Sequence, residues 1–378
     1  MDRKLASIQR IVSLSPIVGA DLIEKAVVLG WELVVAKKDG FKVGELCVYC
    51  EIDSILPAKP EFEFLRERKF RVKTIKLKGQ VSEGICFPLD ILPKDKFFAK
   101  GIGWFCKEGE DVTDVLGVIK YDPQAEFERK ESLRLASIDK NRMDKFLKRY
   151  AWYRNLFFKP TKTPFPAFIK KTDEDRIQLF PDYFERWGHL KFTITEKLDG
   201  QSATYFCIPN PKRGLFRKKW MFGVCSRNFQ LLKPDKSSYW TLAKELDLEN
   251  KMKAWCEVHN FGLIIQGEAV GVGIQGNKYN KKRIELFVFN VAEYYKGQTY
   301  NYDQVHQTLF CINFSNLKTV SVLYPAAILL PTIPGMIEIV KGRSLEADIP
   351  REGFVVRNYE NNVSFKIVNP DFLLKYSE

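Results

Sequence analysis

The sequence predicts an α+β protein built from a β-barrel, a basic helical connector and a larger domain of antiparallel sheets. Three observations support this prediction. Short apolar runs separated by glycine turns fill residues 1–120, positive charge is concentrated at residues 129–171, and strand-like runs that end in polar residues fill residues 189–378. A chain of 378 residues can bury a core in each of two or three such domains.

The first third of the chain is predicted to be a small barrel of the OB type. Trp31–Ala36 reads as an apolar strand, Lys38–Gly40 as a turn, and Val43–Ile52 as a nearly alternating strand. In Ile75–Lys78 the two lysines alternate with apolar residues. OB barrels often bind nucleic acid strands. Any small β-barrel would give this pattern, however, and the lysines could simply solvate an edge strand.

Within the connector, residues 121–188, a basic block at residues 129–171 accounts for most of the formal net charge of +13. Between Arg129 and Lys171 there are thirteen Lys and Arg residues and three acidic residues. Residues 143–151 have apolar side chains at helical spacing, which predicts an amphipathic basic helix whose apolar stripe packs on the core. Basic side chains release counterions from a phosphate backbone, so the block favours a nucleic-acid partner over a merely solvated helix face. The aromatic residues mixed into it point the same way: Trp152, Tyr153, Phe157 and Phe158.

Composition also excludes several classes of protein. No apolar run is long enough to span a membrane, and the N-terminus lacks a hydrophobic signal segment, so we expect an intracellular protein with no membrane partner. We also expect a monomer. The three histidines have no metal-binding spacing. Cys47 and Cys50 lack the second pair of a zinc site and are expected to be buried, reduced thiols. The apolar segment 291–350 is assigned a packing role alone.

The third part of the chain begins with a lysine that could be a nucleophile. Glu196-Lys197-Leu198-Asp199-Gly200 follows the predicted strand Lys191–Thr195. A lysine near a strand end can face a pocket, and desolvation or a nearby metal can remove its proton. A solvated lysine at a strand end is the simpler alternative for so short a motif.

Four further clusters follow in order. They are Val224–Asn228 with Arg227, Leu263–Glu268 with the glycine-rich Gly271–Gly276, Leu286–Asn290, and the strands Glu352–Arg357 and Ser364–Ile367 joined by a hairpin loop. Each cluster alone could be ordinary core or surface. Together they supply a lysine nucleophile, carboxylates for a divalent metal, cations for phosphate oxygens and an aromatic face for a base. These are the requirements of nucleotidyl transfer.

The ordered clusters resemble the lysine-adenylated nucleotidyltransferases, which comprise ligases and mRNA capping enzymes. The resemblance covers roughly residues 190–370, and residues 189–378 are accordingly expected to form a nucleotidyltransferase domain of ATP-grasp-like ligase fold. A β-rich domain ahead of it, and the stretch Lys170–Gln178, are similar to the RNA ligases of the Deinococcus and Naegleria type.

The resemblance implies a role for each site residue. Lys197 would take AMP from ATP, and Asp199, Glu268 and Glu352 would hold Mg²⁺ or Mn²⁺ directly or through its waters. The other nucleotide contacts would be Glu196, Arg227 on the ribose or its phosphate, Phe289 rather than Phe287 on adenine, and Lys366 on the α-phosphate. Some relatives have two lysines spaced K-x-K at this last position, where this chain has Ser364.

The implied activity is an ATP-dependent RNA ligase that seals 3′-hydroxyl/5′-phosphate nicks through a lysine–AMP intermediate. Its partner would be a nicked duplex of RNA or an RNA/DNA hybrid. Two alternatives remain at this point: a capping-type guanylyltransferase that uses GTP, and a catalytically inactive protein that binds nucleic acid.

Overall fold

The computed structural model describes residues 4–99, 103–121, 150, 162–210, 219–232, 237–295, 298–301, 309, 314 and 317–376. Most of the basic block lies outside these residues, including nearly all of the amphipathic helix predicted at 143–151 and the four aromatic residues that follow it. Among the described helices, none is long and apolar enough to cross a membrane.

The N-terminal part is an OB-like barrel, as predicted. Its strands are β1 (Ala6–Pro16), β2 (Ile23–Val28), β3 (Trp31–Ala36), β4 (Leu46–Cys50), β5 (Ser54–Ile55), β6 (Thr74–Leu77), β7 (Gln80–Glu83), β8 (Ile85–Phe87), β9 (Phe98–Ala99), β10 (Gly103–Trp104) and β11 (Ile119–Lys120). Two short helices follow β8 and β10: α1 (Lys94–Phe97) and α2 (Thr113–Leu116).

The barrel is built around β1, which pairs with both β2 and β4. The main sheet has the order β3-β2-β1-β4-β8, and β6 pairs with β7 as a hairpin. The barrel nearly closes where the Val34 amide donates a hydrogen bond to Ser82 Oγ at 3.0 Å. Trp31 and Tyr49 are fully buried in its core. Cys47 and Cys50 are buried free thiols, which confirms that prediction.

The C-terminal part contains two antiparallel sheets. Its strands are β12 (Lys162–Pro164), β13 (Phe192–Lys197), β14 (Gln201–Pro209), β15 (Trp220–Cys225), β16 (Phe229–Leu231), β17 (Gly262–Val270), β18 (Glu285–Tyr295), β19 (Gln298–Asn301), β20 (Lys318–Thr319), β21 (Val322–Ala327), β22 (Gly353–Asn358) and β23 (Val363–Val368). Its helices are α3 (Tyr183–Trp187), α4 (Ser238–Glu245), α5 (Leu248–His259), α6 (Ile333–Val340) and α7 (Pro370–Tyr376). Short 3₁₀ segments occur at Lys37–Asp39, Leu89–Ile91, Ile177–Leu179 and Gln275–Asn277, and a longer one of nine residues at Pro60–Arg68.

The larger sheet has the order β12-β16-β15-β14-β17-β18-β19, with β20 added parallel to β18. One of its faces packs on α4 and α5, where Leu242 and Met252 are buried. The smaller sheet has the order β21-β13-β22-β23, and α6 covers one of its faces through Ile333 and Met336. The apolar segment 291–350 therefore contributes packing, as predicted, through α6 and the edge strand β21.

The two sheets meet at one apolar cluster. Its buried members come from both sides: Leu198, Val270, Tyr279, Phe287 and Val320. Because side chains alternate along a strand, every second residue of β13 faces the space between the two sheets. This space lies beside the loop that follows β13.

The barrel touches the C-terminal part through residues near the end of the predicted connector. The Arg176 guanidinium lies 3.4 Å from a carboxylate oxygen of Glu83 and 5.5 Å from the centre of the Trp31 ring. The Gly30 amide donates to the Gln178 carbonyl at 3.2 Å. Arg176 and Glu83 are both largely buried, and Arg176 also forms a backbone bridge with Lys366 of the smaller sheet. This contact therefore holds one edge of the barrel next to the smaller sheet.

Candidate active site

Lys197 ends β13 and points between the two sheets. In the pairing of β13 with β22 it lies opposite Gly353, which places it beside Glu352. Its ammonium nitrogen is 2.5 Å from Glu352 Oε1, and its side chain is 26% exposed. The lysine therefore faces a partly open space lined by a carboxylate rather than bulk water.

The charge of Lys197 is controlled by its neighbours. Burial lowers its pKa, but Glu352 and then Glu268 raise it by more, so the pKa lies above the usual value for lysine. Burial, countered by Lys197 and reinforced by Glu352 and Asp199, raises the pKa of Glu268 to about 8. Lys197 is thus a cation held mainly by Glu352 in this state, and an uncharged amine requires a change in the surrounding charge.

The turn after Lys197 is held by a second loop, residues 271–281, which we call the clamp loop. The Asp199 amide donates to the Tyr279 hydroxyl at 2.9 Å, and the Asp199 carboxylate accepts from the Lys278 ammonium. The Gly200 amide donates to Glu268 Oε1 at 3.1 Å. A side chain at Gly200 would overlap the carbonyl oxygen of Ala269, so this close approach requires glycine.

The three predicted metal ligands lie around Lys197 but do not form a ready set of direct ligands. Among the residues described, no group of three or more His, Cys, Asp or Glu side chains converges closely enough to hold an ion. Glu352 Oε2 is buried with no hydrogen-bond partner in the described part of the chain. Glu352 and Asp199 also raise the pKa of Glu268 by charge repulsion, which a bound cation would relieve. The unpartnered oxygen and this repulsion are consistent with a cation that is bound mainly through its water ligands.

A group of cations lies on the smaller sheet next to Lys197. The register places Lys366 opposite Val355, which is itself opposite Thr195, so Lys366 and Lys197 share one face of the sheet. Burial, then Lys197 and Arg176, lower the pKa of Lys366 to about 8. Neighbouring cations that lower one another's pKa in a half-buried space are stabilised by a bound anion.

The facing strand β18 resolves the choice between two phenylalanines. Phe287 is 1% exposed, with Lys281 and Lys318 near its ring, and belongs to the apolar core. Phe289 is only partly buried. The pairing of β18 with β17 shifts by one residue here and leaves Phe289 as a bulge without a partner. Phe289 is therefore the ring that remains available to a ligand.

Residues 173–176, which we call the strap, connect these parts. Both carboxylate oxygens of Asp173 are 2.8 Å from Arg227, and Glu174 Oε1 is 2.5 Å from Arg357. The backbone carbonyl of Asp175 accepts a hydrogen bond from the Lys366 amide at 2.8 Å. Arg176 reaches the barrel through Glu83. Four successive residues thus link the larger sheet, the smaller sheet and the barrel.

Comparisons with known proteins agree with this architecture. A family model described as an OB-fold domain matches residues 5–89, and one described as RNA ligase matches residues 190–376. Residues 190–376 belong to the RNA ligase family. A search of curated proteins found no match.

Solved structures of the Naegleria gruberi RNA ligase resemble the entire chain. A point mutant of that ligase with ATP and Mn has a TM-score of 0.75 at 28% identity, over 99% of both chains. Another point mutant, with AMP and Mn, has a TM-score of 0.75 at 27% identity, and the ligase with PPi a TM-score of 0.74 at 28%; each also covers 99% of both chains.

Two predicted residues of this RNA ligase domain lie at the margin of the site. Arg227 is in a polar turn, as predicted, but its side chain is 53% exposed and bound to Asp173. Glu196 lies on the other face of β13 from Lys197, where its carboxylate accepts from the Leu345 amide at 3.0 Å. The structure groups Lys197, Asp199, Glu268, Glu352, Lys366 and Phe289 more closely than these two.

Several residues that surround the site were not singled out from the sequence. The sequence shows that the clamp loop is glycine-rich and that the strap resembles a stretch of related ligases, but it does not predict the contacts of either segment. Lys278, Tyr279, Glu174 and Arg357 reach the site through partners far along the chain. A carboxylate-rich stretch beside the basic block, at residues 173–175, was the one signal that could have drawn attention to the strap.

Proposed function

We propose that this chain is an ATP-dependent RNA ligase that joins 3′-hydroxyl and 5′-phosphate ends through a covalent Lys197–AMP intermediate. The observation that supports this most directly is the position of Lys197, between carboxylates on one side and Lys366 on the other. The complexes of the Naegleria ligase with ATP and Mn, with AMP and Mn, and with PPi support ATP, a divalent metal and pyrophosphate for this chain too.

Each residue of the site is proposed to contact a different part of the nucleotide or its metal. Phe289 offers a ring for the adenine, and Lys366 with Arg176 offers positive charge for the phosphates. Asp199, Glu268 and Glu352 would hold a divalent metal, mostly through water, and the metal would supply charge that opposes protonation of Lys197. Glu352 Oε1 is within hydrogen-bond reach to accept the proton that Lys197 must lose.

Three transfers then follow. The Lys197 nitrogen attacks the α-phosphorus, forming a P–N bond while the bond to pyrophosphate breaks. The 5′-phosphate of the nucleic acid displaces Lys197 from AMP, and a 3′-hydroxyl finally attacks that activated phosphate and releases AMP. The barrel and the basic block would hold the duplex by its backbone, so sequence would matter little. The substrate we propose is a nicked RNA duplex or RNA/DNA hybrid.

Labelled nucleotide tests the first transfer. With α-labelled ATP and Mn²⁺ or Mg²⁺ the wild type should become labelled, and Lys197→Ala should not. Label from GTP instead of ATP would indicate a capping-type guanylyltransferase, against which the barrel-first order argues. Binding of nucleic acid with no label from either nucleotide would indicate an inactive binding protein.

Nick sealing tests the later transfers. Four duplexes that carry RNA or DNA on each side of the nick should be compared at equal concentration. Sealing should be fastest with RNA at the 3′-hydroxyl end. Equal sealing of an all-DNA nick would contradict the assignment to RNA.

A further inference from the structure

Arg357 forms a buried contact between the two sheets. It lies on β22 of the smaller sheet, on the same face as Lys366 and Lys197. Its Nη1 donates to the Phe289 backbone carbonyl, on β18 of the larger sheet, at 3.1 Å. Its guanidinium carbon lies 5.7 Å from the centre of the Phe289 ring. Arg357 thus spans the space in which the nucleotide is proposed to bind.

The strap fixes the other side of the guanidinium. Glu174 Oε1 accepts from Arg357 Nη2 at 2.5 Å and from Nε at 3.2 Å. Both side chains are nearly buried, with 13% of Arg357 and 10% of Glu174 exposed. A planar guanidinium held by one carboxylate through two nitrogens has a defined orientation, which a lysine in its place would not have.

Because of these contacts, Arg357 differs from the neighbouring cations that are proposed to bind phosphate. Burial and the neighbouring Lys197 and Arg176 lower the pKa of Lys366, so a bound anion would stabilise its charged form. Arg357 already has a carboxylate and a carbonyl as partners. Its position on the face of the phosphate-binding sheet would suggest a phosphate ligand, but its hydrogen bonds are directed toward Glu174 and Phe289.

The bulge explains why Phe289 needs this support. The one-residue shift between β17 and β18 leaves Phe289 outside the ladder of paired residues. The extra residue of a bulge lacks the pairing of its neighbours, so contacts from outside the ladder determine where its side chain is aimed. Arg357 holds its carbonyl and lies near its ring.

We propose that Arg357 and Glu174 are positioning residues that hold the Phe289 ring in place to stack on the base of the nucleotide. This rests on the proposed function, because it takes Phe289 as the adenine platform. Substitution of either residue should weaken capture of ATP and leave the transfer to Lys197 nearly unchanged once ATP is bound.

The test is single-turnover labelling of the full chain over a range of ATP concentrations. Arg357→Lys keeps the charge but cannot reach Glu174 and the Phe289 carbonyl together, so the half-saturating ATP concentration should rise about tenfold, as expected for loss of one stacked base. The maximum rate should stay within about threefold. Glu174→Gln should shift half-saturation in the same direction by less. Arg186→Lys, in an exposed ion pair with Asp182, is the matched control and should change neither value.

A double variant separates positioning from general stabilisation. In Phe289→Ala the platform is absent, so adding Arg357→Lys should cause no further rise in half-saturating ATP. Multiplied losses in the double variant, or a lower maximum rate at unchanged half-saturation, would overturn the proposal. If thermal melting shows that Arg357→Lys does not fold, Glu174→Gln alone and with Phe289→Ala decides the question.

The two levels of failure can be told apart. Wild type that takes no label refutes the proposed function, and the positioning role with it. The positioning role alone is refuted if the wild type takes label and both variants, Arg357→Lys and Glu174→Gln, have the same half-saturating ATP concentration as the wild type.

Discussion

Phe287 and Phe289, two positions apart on one strand, should respond to alanine substitution in opposite ways. Phe287 is 1% exposed and lies within the apolar cluster between the sheets. Phe289 is partly buried, and its place in a bulge leaves its ring at the edge of that cluster. Phe287→Ala should therefore reduce stability, and Phe289→Ala should reduce affinity for ATP.

The magnitudes follow from burial and stacking. Removing a fully buried phenylalanine ring costs about 3–5 kcal/mol, which in a domain of this size lowers the melting temperature by roughly 6–20 °C. Loss of one aromatic partner for a base costs about 1–3 kcal/mol. That raises the half-saturating ATP concentration by about 5–150-fold.

Two measurements on each variant check this assignment. Thermal melting reports stability, and the ATP dependence of single-turnover labelling, taken well below the melting temperature, reports affinity. The assignment is refuted if folded Phe287→Ala loses affinity for ATP while Phe289→Ala labels at wild-type ATP concentrations.

Three further substitutions test other contacts. Gly200→Ala should slow labelling by ~10–100-fold at saturating ATP, because a methyl group there displaces the turn that carries Lys197; wild-type rates would show that the turn tolerates it. Glu83→Gln leaves the buried Arg176 unpaired and should cost about 3–5 kcal/mol in denaturant unfolding, whereas Glu108→Gln in an exposed pair should cost at most about 1 kcal/mol. Lys366→Met should abolish labelling yet raise the melting temperature at pH 7, since a lysine whose pKa falls from about 10.4 to about 8 on folding destabilises the fold when charged. This gain should vanish above about pH 10, where lysine is neutral folded or unfolded, and a lower melting temperature at pH 7 would contradict it.

Sequence patterns were sufficient for the elements that carry most of the site. Alternation and a terminal glycine located β13 and the turn after Lys197, and the hairpin loop located β22 and β23. The lysines and turns of the first third led to the barrel. These features are local, so neighbouring residues alone determine them.

The contacts that complete the site are not local. Glu174 and Arg357 are 183 positions apart, and Lys197 and Glu352 are 155 apart. Nothing in a single sequence pairs them. The charge of Lys197 also depends on carboxylates that other strands deliver, so residue type alone suggested a neutral amine where the fold holds a cation.

The bulge in β18 shows a different limit. Alternation correctly places Phe287 and Phe289 on one face, but a one-residue shift in pairing decides which ring is left accessible. That shift depends on the partner strand, β17. The predicted basic helix lies almost entirely outside the described residues and stays a prediction.

Mapping the position of covalently bound AMP tests the proposed chemistry most directly. After incubation with ATP and Mn²⁺, peptide mass spectrometry should find the adenylate on Lys197 alone, and Lys197→Arg should carry none. Adenylate on another lysine, such as Lys278 or Lys366, or none on a folded wild-type chain, would contradict Lys197 as the nucleophile.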